Sequence, residues 1–209
     1  MSALSHFRQD PEKAIDRYDF MADAREGFRT TAIPNAARCE YGGPCTLKEG
    51  KTVNGVTRLL VSSGGTATDY FFPWVNRGVG EVSVPAGSAN GTIVVTGGMN
   101  GCGLVVTKNG PHLVFYHDAD NCYLGVVRSA NGTTVCSVAP RDYMGPLNIG
   151  ESLVGGGATG NAYLHQLLII KSGGKWKVFS CGIIIGPGID MPPLRSFRAT
   201  ITKYICSFD

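Results

Sequence analysis

The stretches Leu167–Ile170 and Cys181–Ile185 are apolar almost without a break, and Gly173-Gly174 lies between them. A strand with one wet face alternates apolar and polar side chains, so an unbroken run fits a strand covered on both faces. The pair reads as a central hairpin over 162–171 and 175–185, and the rest of the chain must supply the covering layers. Other short runs rich in β-branched and aromatic residues read as strands at 57–62, 69–74, 80–84, 91–96, 102–107, 112–117, 122–128, 133–138 and 197–206. Gly64-Gly65, Ala89-Asn90-Gly91 and Asn131-Gly132 are turn signals between them. The pattern predicts two packed sheets with one or two helices outside.

The clearest helix is 10–27, with Asp10 as N-cap, Pro11 at the first helical position and Gly27 past the end. Residues 30–56 read as irregular, punctuated by Pro34, Gly42-Gly43-Pro44 and Asn54-Gly55. At 209 residues one domain is the default: residues 1–56 a helix plus an irregular segment, residues 57–209 a β-rich core. A net charge of +3, without a Lys/Arg block, argues against nucleic acid as a partner. No apolar run is long enough for a membrane helix, and residues 1–10 lack the apolar core of a secretory signal. The seven cysteines are odd in number and contain no C-x-x-C pair, so reduced loop cysteines are expected at Cys39 and Cys45, and no zinc site.

Chemistry concentrates in residues 96–117. Two apolar runs flank Lys108-Asn109-Gly110-Pro111, which reads as a hairpin loop. With Asn109 and Gly110 at its centre, Thr107 opposes His112 and Cys102 opposes His117, a register that a four-residue loop over 108–111 also keeps. Directly opposed residues share a face. A thiol beside an imidazole can become a thiolate–imidazolium pair. The glycines around Cys102, Gly101 and Gly103 among them, leave room for backbone N–H groups to converge on an oxyanion. The alternative is a buried structural cysteine at a tight strand entry. Asp118 follows the histidine, points to the opposite face and is a poor orienting group. His112 reads as surface and His165 as a hydrogen-bonded core histidine. Trp74 reads as core, with a cleft wall as the alternative. Gly155-Gly156-Gly157 with Gly160 lacks the Lys-Ser/Thr of a phosphate loop and reads as a loop beside the cleft.

Asn100-Gly101-Cys102, a strand, a turn and His117 resemble the catalytic hairpin of the cytotoxic necrotizing factor deamidases. Phe72-Pro73-Trp74, Thr96, Gly110-Pro111, the glycine-rich stretch 154–160 and Ser172-Gly173-Gly174-Lys175-Trp176 resemble the related Burkholderia lethal factor-like glutamine deamidase toxins. The resemblance runs from Phe72 to Phe179. It departs from the pattern at Asn100, where serine is usual, and in a hairpin longer than the lethal-factor type.

It implies an α+β fold, a β-rich sandwich of two mixed sheets with one or two outer helices. It further implies a cysteine deamidase in which Cys102 attacks and His117 moves protons. Thr96 orients the histidine by hydroxyl or backbone carbonyl, and Trp74 and Asn100 border the substrate cleft. No metal or cofactor is called for. The implied partner is a host protein, either the DEAD-box helicase of translation initiation or a Rho-family GTPase, met by a monomer secreted or delivered into the host cytosol. A transglutaminase and a cysteine protease share the residues. A non-catalytic β-sandwich binding module is the alternative of another class.

Overall fold

Ser2 accepts a hydrogen bond from the Ser5 N–H and Asp10 from the Lys13 N–H, and each cap opens a short helix, α1 (Ala3–Gln9) and α2 (Pro11–Arg17). In this computed structural model the described residues are 1–26, 38–53, 55–64, 67–144, 162–185, 193–197 and 203–209. The strands are β1 (Asp19–Glu26), β2 (Cys39–Tyr41), β3 (Gly43–Val53), β4 (Val56–Ser63), β5 (Asp69–Phe72), β6 (Val79–Pro85), β7 (Ile93–Thr96), β8 (Gly103–Asn109), β9 (His112–Asp118), β10 (Thr133–Val138), β11 (Ala162–Ser172), β12 (Lys175–Ile185), β13 (Pro193–Phe197) and β14 (Tyr204–Phe208). A short helix, α3 (Pro140–Tyr143), follows β10.

Among the described residues the strands form two sheets. The nine-stranded one runs β1-β4-β3-β5-β7-β11-β12-β13, with β14 also on β12; the five-stranded one runs β10-β8-β9-β6-β2. Both are mixed: β1–β4 and β5–β7 are parallel in the first, β2–β6 in the second. The fold is the expected α+β sandwich. Val94, Leu167 and Ile169 face the smaller sheet, where they meet Leu104, Val106 and Phe115. Ile93, Val95, Leu168 and Ile170 face the other way, under Leu4, Phe7, Ala14 and Ile15 of the helices. The unbroken apolar runs thus belong to strands covered on both faces.

The N-terminal quarter departs from expectation. The helix stops at Arg17, and Asp19–Glu26 is a strand parallel to β4, because Phe20 gains more by packing on Phe7 in the core than by continuing a helix. The stretch read as irregular contains β2 and the long β3, so residues 1–56 supply strands to both sheets rather than an appendage. Residues 122–128 are not a strand; Ala119–Asn121 is a 3₁₀ turn, and Leu124 and Arg128 share one isolated bridge. The last strand is two, β13 and β14, with 198–202 outside the described residues.

One ion pair clasps α1 to the sheet. Arg8 meets both carboxylate oxygens of buried Asp69, at 2.9 and 2.6 Å, and Asp69 Oδ1 also accepts from the Ile93 N–H. Asp69→Ala leaves the buried Ile93 N–H without its acceptor and the guanidinium without its carboxylate, although Arg8 Nη1 also donates to the Gly91 carbonyl. Urea denaturation should find it less stable by roughly 2–4 kcal/mol; a loss within the error of the wild-type measurement would mean that the clasp does not hold the helix.

Candidate active site

The β8–β9 hairpin turns on Gly110-Pro111, with Asn109 paired to His112. Gly110 has φ +57, and Pro111 cannot take a positive φ, so this is the turn that wants glycine at its first central position. The turn is thus tighter than a four-residue loop and lies one residue further along, which moves the register by two. Leu104, not Cys102, lies opposite His117, and Gly103 opposes Asp118. A shift of two preserves the face. Cys102 therefore stays on the side of Leu104 and His117, as their diagonal neighbour, and both it and Leu104 belong to the core between the sheets.

His117 is wholly buried. Its Nδ1 lies 2.7 Å from the hydroxyl of Thr96, which comes from β7 of the opposite sheet. The same hydroxyl lies 2.8 Å from the Phe72 carbonyl. A hydroxyl has one proton and a carbonyl only accepts. Thr96 therefore donates to Phe72, and the imidazole donates Nδ1–H to Thr96. This fixes the tautomer: Nε2 carries the lone pair, and it is buried with no hydrogen-bond partner. The Thr96 carbonyl is taken by Gln166 Nε2 at 2.9 Å, so of the two ways in which Thr96 could orient the ring, the hydroxyl is the one in place. Gly80, opposite His117 on β6, makes this approach feasible. A Cβ there would come within 1.8 Å of the Pro73 carbonyl, so only glycine lets the Phe72–Trp74 segment pass so close.

Cys102 is 3% exposed. Burial raises its thiol pKa, and hydrogen bonds from the Asp120 and Asn100 backbone and from the Trp74 side chain act against that rise without overcoming it. Burial also lowers His117, to about 3. The resting pair is thus a neutral thiol and a neutral imidazole, not the ion pair expected from adjacency. Asp120 can turn its N–H toward the sulfur because it and Asn121 adopt positive φ, 52° and 54°.

The hydrogen bonds to the sulfur come from the Asn100 and Asp120 backbone and the Trp74 side chain. Gly101 supplies the positive φ, +85°, that bends the chain into Cys102, and Gly103 already sits in the β8–β9 ladder. Trp74 is half-buried and Asn100 exposed, at the rim.

Asp118 accepts the N–H groups of Tyr123 and Leu124 and braces the loop after the hairpin, away from the imidazole. His112 is exposed beside the turn. His165 is buried, and its backbone pairs with Met99, but its Nδ1 lacks the expected partner. The glycines at 155–160 lie outside the described residues. Sequence reasoning missed Tyr143, whose hydroxyl donates to the Cys102 carbonyl at 2.8 Å, and Gln166. Gln166 carried a signal, since a polar residue within a strand covered on both faces must find buried partners; nothing near Tyr143 marked it. Among the described residues no group of three His, Cys, Asp or Glu could hold a metal ion.

No family model and no curated protein matches the sequence, so the lethal-factor resemblance rests on its motifs alone. Among solved structures, the C-terminal domain of CNFy from Yersinia pseudotuberculosis shows a distant likeness, with a TM-score of 0.29 and 9% identity over 65% of this chain. The match spans 64% of that domain's chain, under two thirds of its length.

The two buried histidines set an acid limit on stability. An ordinary imidazole titrates near 6.5, whereas His117 stays neutral down to about 3 and His165 to about 4. Between those values the unfolded chain binds protons that the folded chain refuses. Stability is therefore full above pH 6.5 and falls as the pH drops toward 4, by on the order of 3 kcal/mol for each imidazole. Melting temperatures between pH 7 and 4 should fall less steeply for His117→Asn, whose amide can still donate to Thr96. Identical slopes for variant and wild type would contradict a neutral buried His117.

Proposed function

We propose that the chain is a cysteine-dependent deamidase that converts a glutamine side chain of a host protein to glutamate. The observation that carries this is the tautomer imposed across the sandwich. The Phe72 carbonyl and the Thr96 hydroxyl fix the Nδ1 proton, leaving a desolvated Nε2 lone pair on the face that holds Cys102. A bare buried nitrogen has a use as a general base.

Because both groups are neutral at rest, proton transfer accompanies attack. Nε2 takes the thiol proton as sulfur bonds to the carboxamide carbon. The C=O π electrons pass to the carboxamide oxygen, and donors beside the sulfur, from the Asn100 and Asp120 backbone and the Trp74 side chain, stand ready to stabilise the oxyanion. The imidazolium passes its proton to the leaving amine, releasing ammonia and a thioester. Water, deprotonated by the same Nε2, then hydrolyses the thioester to glutamate. Tyr143 and Gln166 act at one remove, on the Cys102 and Thr96 carbonyls. The motif resemblance supports the translation-initiation helicase as the first target to test and a Rho-family GTPase as the second.

The burial of Cys102 in the inter-sheet core favours a second reading, a structural cysteine in a binding module. Incubation with a host lysate and with each purified target, followed by mass-spectrometric mapping of Gln-to-Glu changes, separates the two. Cys102→Ser should lose deamidation while keeping a near-normal melting temperature. Loss of stability without any wild-type deamidation would favour the structural role, and an active Cys102→Ser would rule out the mechanism.

Thr96 gives a sharper test. Thr96→Val removes the acceptor for Nδ1–H and strands the Phe72 carbonyl, so kcat should fall about 100-fold or more and stability by roughly 1–3 kcal/mol. Thr96→Ser keeps the hydroxyl and should keep most of the activity. Equal kcat in both variants would remove the hydroxyl from the mechanism.

A further inference from the structure

Cys136 on β10 and Cys206 on β14 bring their sulfurs to 3.4 Å across the boundary between the sheets. β10 is the edge of the smaller sheet and β14 pairs with β12 of the larger. Each cysteine stands beside a β-bulge. Thr134 and Cys136 pair with Thr107 and Val106, so Val135 is the extra residue. Tyr204 and Cys206 pair with Phe179 and Val178, so Ile205 is the extra residue there. A bulge bends its strand and re-aims the next side chain. Here two bulges on facing strands aim two thiols at one point.

The sulfurs are close enough to bond after about 1.4 Å of further approach, a small side-chain rotation for each. Their surroundings give them different parts. Cys136 is buried in the inter-sheet core, and Cys206 is half-buried at its margin, where a reagent can reach it. Cys206, the more accessible of the two, is thus the attacking thiol and Cys136 the thiol that resolves.

We propose that Cys136 and Cys206 are a modification site that closes into a reversible disulfide joining the two sheets, separate from Cys102. With a small disulfide such as oxidised glutathione, Cys206 sulfur attacks one glutathione sulfur and expels the other as thiolate. Cys136 then loses its proton to that thiolate and attacks the Cys206 sulfur, expelling the second glutathione. The protein thiols lose two electrons and two protons, and one glutathione disulfide becomes two thiols. The bond joins strands far apart in sequence, so it restricts the unfolded chain strongly.

The test uses the full chain, reduced and then equilibrated with oxidised and reduced glutathione. Free thiols are blocked with iodoacetamide and the protein is digested without reductant. A peptide linking Cys136 to Cys206 is expected, with a melting temperature higher by on the order of 10 °C than in the reduced chain, reversed by reductant. Cys136→Ser should show no rise and should carry glutathione on Cys206. Cys136→Val, which keeps an apolar side chain in the core, serves if the serine variant fails to fold. Absence of the linked peptide while both cysteines are recovered alkylated or singly glutathionylated would overturn the proposal. So would a rise that persists in the Cys136 variants.

Discussion

The central strands β7, β11 and β12 of the larger sheet have no wet face over most of their length, and much of the molecule follows from that constraint. Helices α1 and α2 cover one side and the five-stranded sheet covers the other. A polar group in such a layer either finds a partner or costs the full price of desolvation. Asp69, Gln166 and Thr96 are polar residues buried there, and each reaches out of its own strand. Asp69 takes Arg8 from α1, Gln166 takes the Ala22 N–H from β1, and Thr96 takes His117 from the other sheet. These contacts tie the N-terminal segment and the second sheet to the central strands.

The candidate site lies where the chain leaves that buried sheet for the smaller one. β7 ends at Thr96 and β8 begins at Gly103, so Cys102 is delivered at the crossing, after the strand that carries the hydroxyl and beside β9, the partner of β8 that carries the imidazole. This placement explains the electrostatics. Three hydrogen bonds favour the Cys102 thiolate, yet burial outweighs them, and burial also keeps His117 neutral. Charge separation between the two groups is therefore disfavoured. Thr96 is fully buried, so solvent does not compete for its hydroxyl.

Much of this was legible in the residues. The unbroken runs at 167–170 and 181–185 announced the central hairpin β11–β12, and the apolar stretches on either side of Gly110-Pro111 announced β8–β9. The face shared by Cys102 and His117 survived a wrong register because a strand repeats every two residues. The N-terminal quarter was read poorly. The apolar residues Ala14, Ile15, Tyr18, Met21 and Ala22 follow a helical spacing past Arg17, and only the presence of β4 and Phe7 makes an extended Phe20 the better choice. Residues 122–128 carry β-prone side chains, but Asp118 captures the N–H groups at 123 and 124 and turns the chain away.

Sequence by itself thus determined much of the strand pattern, the hairpin that carries Cys102 and His117, and the face those two residues share, since these depend on periodicities within one or two neighbouring segments. Tertiary structure alone decided which hydroxyl proton goes where, which N–H groups surround the sulfur, and which two of seven cysteines meet. Those contacts join residues distant in the chain, such as Thr96 to Phe72 and Cys136 to Cys206, and no local spacing encodes them. They are settled only when the two sheets close on each other and bring buried donors to their acceptors.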